Sequence, residues 1–397
     1  MQHSRLISFD RYRALFTLPS ARQIFAASLL GRLPIGVTGL AILLLMQTST
    51  GSFALGGAAA GCYVTGLALA APTLGRLIDR HGPRRILGAC SVVFPCALLV
   101  LVGASGRAEF AWLAFTAAAA AGAAFPPITV CMRTYFRQSL ADEALLSAAY
   151  SAESVLIEII FIVGPLIVAL LVAVAAPAAA VWFAAACGFA GTLLFVRTPA
   201  LRTWRVEART TTGMLGPLAD REFVKLVAIV LCFATAFGFL EIGLTAYAIE
   251  RSDAAFAGVL LGLMSGGSAL GGLAYGSRGW NFPLARQFAV ALALTALGLA
   301  VLSLRWQPWL FATLSVVAGI AIAPALIIQS MLVTKTARPE HSTEAFTWTT
   351  SALLGGVGIG LAAGGVMLEQ LPAAAALGTG AMAALAAAAG ARFLLGR

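Results

Sequence analysis

Long apolar runs, separated only by short polar stretches, recur from residue 24 to residue 394 and leave room for little else. A hydrocarbon core of about 30 Å takes about 20 apolar residues per helical crossing. Twelve runs approach or exceed that length: 24–46, 55–76, 86–103, 110–132, 147–172, 178–196, 222–247, 256–276, 286–303, 309–332, 346–370 and 374–394, numbered here as spans 1 to 12. Hydrophobic residues make up 60% of the chain and charged ones only 11%, a balance that no water-soluble surface accommodates. The expected fold is therefore an all-α membrane protein with twelve transmembrane helices.

The formal charge of +10 raises nucleic acid as a partner. Its distribution argues against that partner, because the cations sit in alternate loops beside apolar spans and form no basic stripe interleaved with aromatics. An even number of spans returns both termini to one side. If that side is cytoplasmic, only Arg107, Arg251 and Arg305 lie outside and Arg32 within span 1, which leaves the rest of the 26 Lys and Arg inside. That asymmetry predicts an inner-membrane protein with both termini cytoplasmic. The first apolar run lacks a small-residue cleavage site, so it is expected to be an uncleaved first helix.

Cys62, Cys90, Cys96, Cys131, Cys187 and Cys232 all fall in apolar spans without metal-ligand spacing or a CxxC pair. The three histidines, His3, His81 and His341, lie in terminal or loop segments. No cofactor, metal centre or catalytic triad is expected, so an enzyme is disfavoured. There is no GxxxxGK[ST] loop, which disfavours ATP as the energy source.

The longest polar stretch, Arg197 to Asp220, divides six spans from six, and Asp220 is placed to cap span 7. Three features recur at an offset of about 200 residues, which argues for duplication. Gly75 to Asp79 matches Gly271 to Tyr275, Pro126 matches Pro324, and Glu143-Ala144 matches Glu344-Ala345. The expected organisation is a bundle over 1–196, a cytoplasmic linker over 197–221 and a second bundle over 222–397, with a binding site at their interface.

The most specific motif is Gly75-Arg76-Leu77-Ile78-Asp79-Arg80-His81-Gly82-Pro83-Arg84-Arg85. It closely resembles the major facilitator signature GxLaDrxGrr between helices 2 and 3. An ordinary basic loop would account for the arginines but not for an acid at that spacing after glycine. The resemblance implies two six-helix bundles and a cytoplasmic gate containing Gly75, Asp79, Arg80, Gly82 and Arg84. The second copy departs from the signature with Tyr275 in the acid's place, so an asymmetric gate is expected. Gly164-Pro165 in span 5 resembles the core of the antiporter motif, although its flanking glycines are replaced by Ile160, Val168 and Ala169. No Arg occurs from Trp112 to Ala124, so the proton relay of many drug/proton antiporters is not carried over. Pro126-Pro127, Arg133, Ala149-Tyr150, Glu153 and Glu158 to Phe161 are similar to a bacterial subgroup of exporters.

Ionisable groups inside a bilayer cost about 2.5–3.5 kcal/mol on insertion scales and mark function by default. Arg32, Glu153, Glu158 and Glu241 are such groups. At 1.5 Å per residue, Glu158 lies about 16 Å deep and Arg32 about 12 Å. Ser147, Ser151, Ser154 and Glu158 follow helical spacing and form one polar stripe. Ser151, Ser154 and Glu158 are therefore expected to bind substrate, and Glu158, Arg32 and Glu241 to serve proton coupling. Arg32 is expected to pair with Glu158, with Glu153 as a competing and more structural partner. Prolines in spans 4 and 10 suit bends. Glycines at 258, 262 and 266 and at 356, 360 and 364 suit close contacts, which the resembled fold places between the halves.

The expected activity is export of a small organic molecule by alternating access, with protons as the coupling ion and the lipid bilayer as environment. The protein is expected to act as a monomer. An importer or facilitator of the same fold, and a non-transporting sensor or assembly factor, are the alternatives.

Overall fold

A computed structural model describes residues 16–17, 19–106, 108–139, 143–198, 201, 217–251, 253–276, 280, 282–304, 306–336 and 342–395. Within those residues twelve helical segments are long and apolar enough to cross a membrane. They are Ala21–Thr50, Phe53–Ile78, Pro83–Ala104, Ala111–Met132, Val155–Val174, Pro177–Arg197, Arg221–Ile249, Ala254–Tyr275, Leu284–Leu302, Pro308–Thr336, Ala345–Leu368 and Ala373–Leu394, in the order of spans 1 to 12. Their outward faces carry large apolar side chains such as Val92, Val100, Leu170, Leu294 and Met382, which suits lipid as the surrounding solvent.

Three spans are interrupted, each at proline. Span 1 runs as Pro19–Arg32 and Pro34–Thr50 with a turn at Leu33. Pro34 has no N–H to offer the carbonyl of Leu30, and the turn closes through Leu33 N–H on Leu29 O (2.9 Å) and Gly36 N–H on Leu33 O (3.1 Å). Span 4 breaks between Ala111–Ala123 and Ile128–Ser139, where Pro126 and Pro127 remove two consecutive donors. Span 10 breaks between Pro308–Gly319 and Ile322–Thr336, just ahead of Pro324. Bends in spans 4 and 10 accord with their prolines; the break in span 1 was not anticipated.

The duplication is visible in packing. A Cβ added to Gly122 of span 4 would run into the carbonyl of Tyr63 in span 2, and one on Gly319 of span 10 would meet the carbonyl of Met264 in span 8. Spans 2 and 4 therefore touch backbone to backbone, as spans 8 and 10 do. Asp220 caps span 7 as expected, its Oδ1 accepting from Glu222 N–H at 2.9 Å.

Two seams join the first six spans to the last six: span 2 against span 11, and span 5 against span 8. Gly57 faces the carbonyl of Leu361, Gly61 that of Gly358, and Gly365 that of Phe53. On the other seam, Gly258 meets Pro165 and Ala169, and Gly262 meets Leu166. Toward the end where span 1 begins and span 12 finishes the contact thins: the seam between spans 2 and 11 runs on to Ser351, whose Oγ donates to Ala68 O at 3.5 Å, and then opens. Leu69, one helical turn past Thr65, is 73% exposed; Gly266 has no atom within 4 Å of its Cβ position; Leu270, one turn further, is 61% exposed. The halves form a V, closed at the far side and open on the side of the termini.

The structure corrects the reading of span 11. Gly356, Gly360 and Gly364 pack on Leu231, Thr235 and Ile242 of span 7 within the same half, not on the first half. The face toward span 2 is instead Gly358, Leu361 and Gly365. Span 11 is squeezed between two neighbours and carries small residues on both faces, so spacing alone did not identify the mobile one.

Candidate functional site

Span 1 organises the polar interior because its break at Leu33 leaves Arg32 at the end of a helix segment, where a cation meets the negative end of the dipole. The guanidinium is buried. Its Nη2 donates to Glu153 Oε1 at 3.4 Å, and its Nη1 lies 3.3 Å from Ser28 Oγ and 3.8 Å from Met132 Sδ. The side chains of Arg32 and Glu153 are 3% and 0% exposed, so spans 1, 4 and 5 converge on a dry ion pair. The competing partner named from sequence is thus the carboxylate found against Arg32. The side chains of Asp79, Arg133, Glu143, Ser147, Tyr150, Ser151, Ser154, Glu158 and Glu344 lie outside the described residues.

One turn beyond the ion pair, spans 1 and 5 touch backbone to backbone. A Cβ on Gly36 would meet Ile160 O at 2.5 Å, and one on Gly164 would meet Gly36 at 2.6 Å. Next in sequence, the carbonyl of Pro165 lies against Gly258 of span 8. Gly164-Pro165 is therefore the point where spans 1, 5 and 8 meet. The motif is a contact between the two halves, set inside the unbroken helix Glu143–Val174.

A further turn on, Gly39 faces Glu241 of span 7, whose Oε1 is 3.5 Å from the Gly39 Cβ position. The half-buried carboxylate points at the opposing half, near the apex of the V. Glu241 O accepts from Thr245 Oγ1 at 2.8 Å, but no hydrogen bond or ion pair joins the carboxylate to another described residue. Along span 1, Arg32 and Gly39 are about 10 Å apart on a helical rise. A charge pair and an acid without a described partner thus lie about 10 Å apart along span 1.

The signature loop lies at the open end. Gly82 ends the span 2 helix with φ 78° and ψ 156°, its N–H donating to Ile78 O at 2.9 Å, and Pro83 starts span 3 at once. That conformation requires glycine. Gly75 has open space around it, and Arg80 and Arg84 are exposed. In the second half Tyr275 hydrogen-bonds Gln287 Oε1 and stacks on Trp280 at 5.4 Å, so an aromatic clip occupies the place of the acid.

Sequence reasoning missed a cross-half contact at the closed end. Glu369, just past span 11, accepts from Ser52 Oγ at 2.6 Å and from Ala54 N–H at 2.8 Å at the start of span 2. Its only sequence signal is an acid beside Pro372 in a loop with no other charge.

The solved nucleoside transporter NupG superposes with a TM-score of 0.74 and 14% identity over 96% of this chain and all of its own length (100%). A peptide transporter POT in complex with sulfate superposes with a TM-score of 0.73 and 14% identity, covering 98% of this chain and 99% of that one. A bacterial homologue of the iron transporter ferroportin, solved in an inward-facing state, gives a TM-score of 0.69 and 14% identity, covering 93% and 96%. At these identities the likeness is one of fold. No curated protein sequence matches the chain. The family model described as Major Facilitator Superfamily matches residues 24–277, well over half of the chain. With its twelve spans, its signature loop and its paired seams, this multi-pass membrane protein belongs to the Major Facilitator Superfamily.

Proposed function

We propose that the protein exports a small organic molecule from the cytoplasm by alternating access, in exchange for protons. The observation that carries this reading is Glu241, a carboxylate without a described partner that faces Gly39 of the opposing half at the apex of the V. A charge kept at such depth without compensation is costly unless it serves transport. Lying between the halves, it can hold a proton in one state and meet a substrate group in another. Glu158 shares the coupling role, Ser151 and Ser154 contribute to the substrate path, and Arg32 fixes span 5 through Glu153.

Export is supported by Gly164-Pro165 at the meeting of spans 1, 5 and 8 and by the likeness of spans 4 and 5 to a bacterial exporter subgroup. Placement in the inner membrane with both termini cytoplasmic rests on the cation asymmetry, so the open end of the V is its cytoplasmic mouth. The units 1–196 and 222–397 are taken as the two moving bodies, with 197–221 as their linker. Substrate is expected to enter from the cytoplasm, with one chain as the working unit.

Comparative metabolite profiling tests this reading. Cells producing the wild type should hold less of at least one organic compound than cells without it, and Glu241→Gln should abolish the difference. Accumulation in place of depletion would reverse the direction and support an importer.

A further inference from the structure

The closed end of the V has a clamp of its own. Every helix begins with N–H groups that lack intrahelical partners, normally satisfied by a cap from the same chain segment. Span 2 begins that way, with Leu55 N–H donating to Ser52 Oγ at 3.2 Å. It then recruits a second acceptor from the other half. Glu369 Oε1 takes Ala54 N–H at 2.8 Å and the Ser52 hydroxyl at 2.6 Å. The carboxylate meets the positive end of the span 2 dipole and also fixes the hydroxyl that caps it.

This contact continues the seam. Gly365, Leu361 and Gly358 of span 11 lie on Phe53, Gly57 and Gly61 of span 2, and Glu369 follows one turn after Gly365. The corresponding start of span 8 in the other seam is capped locally, Phe256 N–H donating to Asp253 Oδ1 at 3.1 Å. Of the two described seams, the one between spans 2 and 11 is therefore the one fastened across the halves by a side chain at its end. A helix start capped from a separate body is satisfied only while the two bodies stay together.

We infer that Glu369 is a gate residue of the closed end, holding spans 2 and 11 together in the state open toward the termini and releasing them when the far side opens. The inference rests on the alternating-access reading above. A capping role confined to span 2 would affect that helix start alone. A gate role also moves the opposite end, because parting the closed seam brings Leu69 and Leu270 out of exposure.

Hydrogen exchange of the full chain in lipid nanodiscs separates the two, with Glu369→Ala, Glu369→Gln and a wedge variant Gly61→Trp compared with the wild type. Glu369→Ala should raise deuterium uptake several-fold in peptides over both 52–61 and 358–369, and lower it over 66–75 and 266–275. Glu369→Gln, which keeps an acceptor oxygen but loses the charge, should fall between. If Gly61→Trp produces this reciprocal pattern and Glu369→Ala loosens only 52–58 or nothing, Glu369 is a local cap and the gate assignment is wrong. If no variant, the wedge included, protects the opposite end, the gate assignment and the alternating-access reading fail together.

Discussion

Arg32 and Glu153 form a buried ion pair between spans 1 and 5, Nη2 to Oε1 at 3.4 Å, directly beside the break that Pro34 imposes on span 1. Two desolvated charges are costly, and leaving one without the other costs more, about 3–5 kcal/mol. Glu153→Gln and Arg32→Ala should each lower the unfolding midpoint and the yield of folded protein. The apolar pair Arg32→Met with Glu153→Leu should recover most of the loss. Thermal unfolding in detergent reads this directly. A double variant no more stable than the single ones would show that the pair does more than hold spans 1 and 5 together.

Backbone contacts at glycine make a second set of expectations. Gly122→Ala and Gly319→Ala each put a methyl group against a carbonyl, of Tyr63 and Met264 respectively, and should each destabilise the fold by about 1–3 kcal/mol. Gly75→Ala and Gly266→Ala enter open space and should leave the unfolding midpoint within error. Equal sensitivity at all four positions would contradict the V-shaped opening, since closed seams would then surround Gly75 and Gly266 as well.

Fold and site were legible to different degrees, for physical reasons. Apolar length locates a span whatever its neighbours are, so eleven of the twelve segments fall within four residues of their sequence positions at both ends, while span 5 begins eight residues later, at Val155. Prolines at 126 and 324 announce breaks because a missing N–H is a local property. The partner of Arg32 is not local. Depth counted along ideal helices left Glu153 and Glu158 both in reach; the structure puts Glu153 against Arg32, while the Glu158 side chain lies outside the described residues. The span 11 glycines failed similarly, because small residues on two faces do not reveal which face meets the other half. Glu369 was invisible because its role depends on which helix start lies next to it.

The signature loop yields a prediction that separates folding from turnover. Under the gate role that the signature resemblance implies for Asp79, Asp79→Asn should insert and fold normally yet slow or abolish transport, because an amide cannot make the charge-assisted contacts of a carboxylate. Gly82→Ala should act on the fold instead, by about 1–3 kcal/mol, since φ 78° with ψ 156° is a glycine conformation. Transport by Asp79→Asn at the wild-type rate and expression would remove Asp79 from the mechanism.

The clamp at the closed end has a defined pH response. Ala54 N–H first and the Ser52 hydroxyl second hold Glu369 below its ordinary value of 4.5, outweighing the opposing effect of burial, with a lesser contribution from Phe53 N–H. A depressed folded pKa contributes stability that is present above the ordinary value and is lost as pH falls through the folded one. The difference in unfolding midpoint between wild type and Glu369→Gln should therefore stay constant from about pH 8 to about pH 5 and shrink in more acid solution. A difference that vanished near neutral pH would mean that other groups control the contact.

Proton exchange at Glu241 and Glu158 is the central claim of the proposed function, and transport in proteoliposomes tests it most directly. With the compound identified by profiling loaded on the side of the termini, an imposed proton gradient should drive its movement to the far side and a protonophore should stop it. Glu158→Gln and Glu241→Gln should each remove the gradient dependence while leaving the protein inserted. Full gradient-driven transport by both variants, or wild-type transport indifferent to the protonophore, would contradict the account.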